Sequence, residues 1–339
     1  MTEEHNKKEE YQEKINDNKI DRRKFIKVSG QVFGIIMTAG FFSFGNLINE
    51  AKASKYDFSN ELIILHTNDI HGRIEEDNGR IGMARTTSLI NDFRDTYDNV
   101  LVLDAGDTIH GMTIVNELEG LSAVETMNLA GFDIMVPGNH DFNFGYQRLL
   151  ELEEKMEFEL ISANVYKDGE LLFKPYTIRE FNDFNVGIFG LTTPYTEISA
   201  NPRYIRGLEF SNMTKESKKY VDILKEKNVD IIIALGHVGL DGDYPSTEIL
   251  DEVDGIDIFV DGHSHHRLPE GKEYNETMIV QAFEYLKYIG KVQVKFSDEK
   301  KLIKPSLISA DEAIKYPENA EIIEILKEAE DEVYQNMFN

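Results

Sequence analysis

The stretch Leu62-Ile63-Ile64-Leu65-His66-Thr67-Asn68-Asp69-Ile70-His71-Gly72 joins an apolar, β-branched run to a polar turn. A short run of this kind, bounded by Asn, Asp or Gly, reads as a buried strand that ends in a loop. The pattern returns four times. Leu101-Val102-Leu103 leads into Gly106-Asp107, and Ile134-Met135-Val136 into Gly138-Asn139-His140-Asp141. Ile231-Ile232-Ile233 leads into Gly236-His237, and Ile258-Phe259-Val260 into Gly262-His263-Ser264-His265. Further strand-like runs fall at 159–163, 185–190, 277–281 and 291–296. Helix-like segments lie near 83–97, 121–129, 145–155, 212–227, 246–250 and 319–335. Strands alternating with helices predict α/β layers. In such sheets ligands bind in the loops beyond the strand ends, which is where all five polar motifs fall.

The motifs offer carboxylate, carboxamide and imidazole groups, the donors that hard to borderline divalent cations accept. Taken singly, Asp-x-His or Gly-Asp is a weak signal, since either could be an ordinary turn. Gly-Asn-His-Asp says more, because Gly138 permits a tight turn that throws Asn139 and His140 forward together. The chain has no Cys, which excludes disulfides, thiolate ligands and a thiol nucleophile. Asp and Glu number 62 against 36 Lys and Arg, a net charge of −26 spread along the 339 residues. Such a surface repels a phosphate backbone, so long nucleic acid is not an expected partner. A small phosphorylated substrate would need local positive charge, which bound metals supply.

In their order, the five motifs resemble those of the calcineurin-like metallophosphoesterases. The stretches Leu65–Gly72 and Val136-Pro137-Gly138-Asn139-His140-Asp141-Phe142 narrow the resemblance. They are similar to the catalytic domain of the bacterial 5′-nucleotidase family, which includes UDP-sugar hydrolases and 2′,3′-cyclic-nucleotide phosphodiesterases. The resemblance implies a four-layer α-β-β-α sandwich with two divalent metal ions (Zn, Mn, Fe or Co). It assigns one metal to Asp69, His71 and His265, the other to Asn139, His237 and His263, with Asp107 bridging. It further implies in-line attack of a metal-bridging hydroxide on phosphorus, with His140 stabilising the phosphoryl charge and protonating the leaving alkoxide. The family's 5′-nucleotidases usually place Asp three residues after this histidine; here Asn143 stands there. Asn can orient the imidazole without supplying a countercharge, which shifts weight toward cyclic diesters or 3′-nucleotides. The competing expectations are a hydrolase of non-nucleotide esters in the same fold and a non-catalytic envelope protein that binds metal or nucleotide. His66 is expected to be structural, His110 a loop histidine with lining of the substrate pocket as the alternative, Asp141 a loop brace, and Arg85 a helix-packing residue with reach to the site as the alternative.

Asp21-Arg22-Arg23-Lys24-Phe25-Ile26-Lys27 resembles a twin-arginine export signal. An apolar stretch to about Ile48 follows, then Ala51-Lys52-Ala53, an A-x-A cleavage pattern. The expected organisation is a signal with a polar leader over 1–53, a catalytic domain over 54–310, and a charged helix over 311–339 that resembles the family's interdomain linker. The family's C-terminal nucleotide-binding domain is not expected in this chain. The export machinery is then a partner, and after cleavage no stable membrane partner remains; an uncleaved anchor is the alternative. The expected location is the periplasm, cell envelope or extracellular space.

Overall fold

The structure is a computed structural model and describes residues 60–77, 79–297 and 301–338. The segment read as an export signal lies outside the described residues. Among those described, no helix is long and apolar enough to cross a membrane.

Two six-stranded sheets form the centre. The first runs, edge to edge, Lys301–Ser309, Tyr288–Phe296, Glu61–Thr67, Val100–Asp104, Ile134–Met135 and Glu159–Leu160. The second runs Lys272–Tyr274, Thr277–Val280, Ile258–Val260, Ile231–His237, Asn185–Thr192 and Tyr176–Glu180. The central strands of each sheet are parallel; Lys301–Ser309, Tyr288–Phe296, Lys272–Tyr274 and Tyr176–Glu180 pair antiparallel, while the edge strand Glu159–Leu160 is parallel to its neighbour. Parallel strands are covered on both faces, so they read as continuous apolar runs. Glu61–Thr67 shows how such a run divides. Leu62 and Ile64 join Leu101, Leu103 and Ile134 against Ile188, Ile231, Ile233, Ile258 and Val260 of the second sheet. Ile63 and Leu65, one residue out of phase, pack with Val102 and Met135 beneath the outer helices Gly82–Thr96 and Leu121–Ala130. On the far side, Phe189, Ile232, Ala234 and Phe259 meet the helices Met213–Glu226 and Ser246–Leu250. The expected four-layer α-β-β-α sandwich is therefore present.

All nine strand-like runs and six helix-like runs read from the sequence occur, with ends shifted by a few residues. The helix Ala320–Phe338 buries Ile322, Leu326, Ala329 and Val333, a 4-3-4 spacing that makes one apolar stripe. That stripe packs on Leu121–Ala130 and Gly82–Thr96, so the helix shares their core. The longest strand not expected is Lys301–Ser309. It contains Pro305, which argues against a central strand. The strand forms the outer edge of its sheet, where a missing N–H costs little.

Candidate metal centre

The five motifs converge at one end of the paired sheets because each follows, or ends, a parallel strand. Their backbone is unusual. Asp69, His71, Asp107, His263 and His265 all have positive φ, between 48° and 69°. Non-glycine residues seldom adopt this region, and each such residue costs on the order of 1–3 kcal/mol that the surrounding structure must sustain. Five of the seven expected ligands are held this way.

Asp69 and Asp107 sit at the middle of the group. Asp69 Oδ1 lies 3.1 Å from His265 Nε2, 3.8 Å from His71 Nε2 and 3.9 Å from His237 Nε2. Asp107 Oδ2 lies 3.2 Å from His237 Nε2 and 3.7 Å from His71 Nε2. Two compact clusters result, Asp69–His71–His265 and Asp69–Asp107–His237, each with ligand atoms within 4.8 Å of one another. Asp69 belongs to both, and Asp107 faces a histidine of each. The ring of His263 packs edge-on against His237 at 5.1 Å, and its backbone N–H donates to Asp69 Oδ2 at 3.0 Å. His263 stands beside the second cluster without completing either.

Local hydrogen bonds fix these groups. The Asp141 carboxylate accepts from the backbone N–H of Asp107, Thr108, Ile109 and Gly138, tying the Asp107 loop to the Asn139 loop. Asp141 thus braces the loops. Gly106 and Gly138 allow the approach: a Cβ on Gly106 (φ 85°) would sit 2.5 Å from Gly138 N. Asn68 donates to Asp69 Oδ2 at 2.7 Å and accepts from Ala282 N. His237 Nδ1 donates to the Ala105 carbonyl at 2.7 Å, which turns Nε2 toward Asp107. His265 Nδ1 pairs with Glu284 Oε2 at 2.9 Å, which turns its Nε2 toward Asp69.

The electrostatics follow from burial and from those carboxylates. Burial works against charge on His237, but Asp107 and then Asp69 outweigh it and push the pKa up to about 10. Burial raises the Asp107 carboxyl, yet His237 and His71 overcome it and hold the group well below the usual carboxylate range. Burial pushes His263 down to about 4, leaving a neutral imidazole suited to ligation.

His140 lies one ring from His71, with centroids 5.2 Å apart. Its backbone N–H donates to Asp107 Oδ1 at 2.7 Å. Asn143 Nδ2 lies 2.9 Å from His140 Nδ1, so the orienting contact expected of Asn143 is in place.

Residues 62–267 match the calcineurin-like phosphoesterase family. The chain belongs to this family. It is similar to the snake venom 5′-nucleotidase of Naja atra, 35% identical over 281 residues covering 73% of this chain and 52% of that protein. The 5′-nucleotidase of Bos taurus is 35% identical over 276 residues, 71% of this chain and 47% of that protein. The chain therefore spans about half the length of the curated relatives it matches. Among solved structures it is similar to a 5′-nucleotidase precursor from Thermus thermophilus, with TM-score 0.69 and 28% identity, over 82% of this chain and 60% of that one. The calcineurin-like phosphoesterase YfkN from Bacillus subtilis shares the fold, with TM-score 0.72 and 21% identity, over 83% of this chain and 99% of that one.

The residues fit the divalent metals that a calcineurin-like phosphoesterase holds. Asn139 is buried and its Oδ1 has no partner, and the buried Nε2 of His237 meets the Asp107 carboxylate at 3.2 Å without hydrogen-bond geometry. Buried polar atoms are seldom left unpaired, and both belong to expected ligands. The donor set is oxygen and imidazole without sulfur, the mixture that Zn, Mn, Fe and Co accept. A divalent cation also displaces the proton that a His237–Asp107 pair otherwise holds.

His110 lies in a loop, as expected, and its ring is parallel to that of His140, at 5.7 Å and 10°. Glu284, which orients His265, was not anticipated. Its signal lay in the run Phe283, Tyr285 and Leu286, all with positive φ, which carries no motif in the sequence. His66 is fully buried as expected, and Arg85 bonds to Glu76 and to the carbonyls of Ile314 and Tyr316.

Proposed function

We propose that this chain is an exported phosphoester hydrolase that acts on nucleotides, of the 5′-nucleotidase or the 2′,3′-cyclic-nucleotide phosphodiesterase/3′-nucleotidase type. The observation that supports the reading is the pair of clusters Asp69–His71–His265 and Asp69–Asp107–His237, with His263 packed on His237 and His140 on His71.

Asp69, His71 and His265 would hold one divalent ion, and Asn139, His237 and His263 a second, with Asp107 serving both. Ions bound there supply Lewis-acid charge for phosphoryl oxygens and lower the pKa of water. His140, as imidazolium, is then the proton donor: its Nδ1 edge is engaged by Asn143, so Nε2 is the edge that gives a proton to the leaving alkoxide and the ring is left neutral. Asn143 orients that ring without adding charge. The acidic surface confines attraction for phosphate to the site itself. Export is supported by Arg22-Arg23, the apolar stretch after them and Ala51-Lys52-Ala53.

One experiment tests the whole reading. Recovered from the envelope or medium, the chain should begin near Ser54 and carry divalent metal by elemental analysis. It should hydrolyse members of a panel of nucleoside monophosphates, 2′,3′-cyclic nucleotides and UDP-sugars. A metal-loaded chain inert toward the whole panel would falsify the assignment.

A further inference from the structure

We propose that the cavity beside His263 receives the nucleoside part of the substrate, and that two carboxylates on its wall exclude an ester carrying a second phosphate. This rests on the nucleotide reading above and adds the place where the released alcohol sits.

The cavity measures about 380 Å³, and the ring of His263 forms part of its wall. Its volume is near the lower end of the roughly 300–1,000 Å³ of small-molecule sites, a scale that suits one base with its sugar. Thr193, Tyr195, Asp241, Asp243 and Tyr244 line other sides, and no Lys or Arg is among the described residues that line it.

One wall is tied to the metal centre. Tyr195 packs on His263 with ring centroids 5.6 Å apart. Its backbone N–H donates to Thr193 Oγ1 at 3.3 Å, and the Thr193 N–H donates to the His237 carbonyl at 3.0 Å. The helix Thr196–Ser199, which follows Tyr195, packs against the turn His140–Phe142. Tyr195 therefore stands between an expected metal ligand and the turn that carries His140. Another wall is the loop between Gly239 and Ser246. The Ser246 N–H donates to the Gly239 carbonyl at 2.7 Å and closes it, and the Leu240 N–H donates to Ser264 Oγ at 3.0 Å. The Asp261 carboxylate, two residues before His263, accepts from the N–H groups of Val238 and Gly239 at 3.0 Å each. The loop is thus fixed relative to His263, while Asp241, Asp243 and Tyr244 at its tip are exposed.

The lining chemistry assigns the occupant. Tyr195 and Tyr244 offer ring faces, on which any nucleobase can stack. Ionised carboxylates only accept, so Asp241 and Asp243 suit ribose hydroxyls and exocyclic amino groups. His266 Nε2 approaches Asp241 Oδ2 to 3.9 Å, beyond hydrogen-bond reach, and Asp243 meets no cation among the described residues. Two negative charges without a lining cation repel a second phosphate. When a nucleoside monophosphate is hydrolysed, the bond from phosphorus to the sugar oxygen breaks and water supplies the new oxygen. The proton ends on the nucleoside hydroxyl, so the leaving group is uncharged. A nucleoside diphosphate cleaved at its terminal phosphorus instead releases a group that still carries phosphate, which the two carboxylates would face.

Adenosine, the product without phosphate, probes the cavity alone. Calorimetric titration should find it bound both to the metal-loaded chain and after chelation, because side chains rather than ions hold it. Tyr244→Ala should weaken adenosine binding about tenfold, and Tyr244→Phe, which keeps the ring face, should restore most of it. In the double variant Asp241→Asn with Asp243→Asn, kcat/KM for adenosine 5′-diphosphate relative to the monophosphate should rise about tenfold. Adenosine binding that requires the metal or ignores Tyr244→Ala overturns the cavity assignment. A diphosphate-to-monophosphate ratio that ignores both Asn changes overturns the exclusion. Either result leaves the nucleotide reading standing. A wild-type chain that cleaves p-nitrophenyl phosphate but no nucleotide overturns that reading, and this site with it.

Discussion

The two ligand clusters share Asp69 but differ in exposure. In the inner cluster the side chains of His237, Asp107 and Asp69 are 0–2% exposed. In the outer one, His71 is 13% and His265 32% exposed. Their support differs in the same direction. His237 is fixed by a main-chain carbonyl, that of Ala105, and Asp107 by a loop that Asp141 clamps through four main-chain N–H groups. His265 is fixed by one side chain, Glu284, which also meets Lys287. The inner cluster also joins the two sheets, since His237 comes from the second and Ala105 follows a strand of the first. The contrast separates two tasks. The buried side joins the two sheets, and the open side, continued by His140 and His110, is the one that solvent reaches.

The contrast fails most visibly if the inner cluster can be cut without consequence. His237→Ala should lower kcat by at least about 10³-fold, because Lewis-acid stabilisation of several kcal/mol is lost with the ion. Elemental analysis should show a lower metal content than wild type and lower than His265→Ala. Equal metal loss in the two variants would mean that exposure does not rank the clusters.

Glu284→Gln sharpens the comparison on the outer side. The change keeps the size of the side chain but removes the charge that orients His265. Partners of this kind typically govern metal affinity by about 10–100-fold. A chelator titration should therefore find one metal equivalent weakened by that order while the more tightly held metal stays put. Uniform weakening of all bound metal would erase the distinction between a backbone-held and a side-chain-held ligand.

Much of this was legible in the sequence. The two-sheet core was, because strands covered on both faces must be apolar at every position, as in Leu62–Leu65. The motif loops were, because each follows such a run and the close-packed turns need a glycine, Gly106 and Gly138 most clearly, whereas the ligand roles were implied only by the family resemblance. The supports were harder to read. Glu284 lies 19 residues past His265 in a stretch with no periodicity, and its role depends on three left-handed residues that the sequence does not advertise. His110 was legible as a loop residue, but nothing local reveals that Asp141 draws its loop against the next. The edge strand Lys301–Ser309 is not among the strand-like runs of the sequence, and its Pro305 is accommodated because the strand is outermost.

The last comparison sets His237 against His66, which lies three residues before Asp69. Both are fully buried, yet His237 is pushed up to about 10 and His66 down to about 3. The difference is the carboxylates: Asp107 and Asp69 face His237, whereas burial acts alone on His66, whose ring fills the space left by Gly290 and whose Nδ1 has no partner. A neutral buried histidine makes the fold sensitive to acid. The unfolded chain binds a proton as pH falls below 6.5, while the folded chain binds none until about 3. Stability from this residue is complete above 6.5 and declines as pH drops through that window. Between pH 8 and 5.5 the loss is about 1.4 kcal/mol by linkage, smaller than the effects expected at His237 and Glu284. His66→Gln removes the titration, so its stability gap to wild type should narrow by that amount over the same interval. Urea unfolding of the metal-loaded proteins at a series of pH values measures it. A gap that stays constant with pH would mean that burial does not keep His66 neutral in the folded chain.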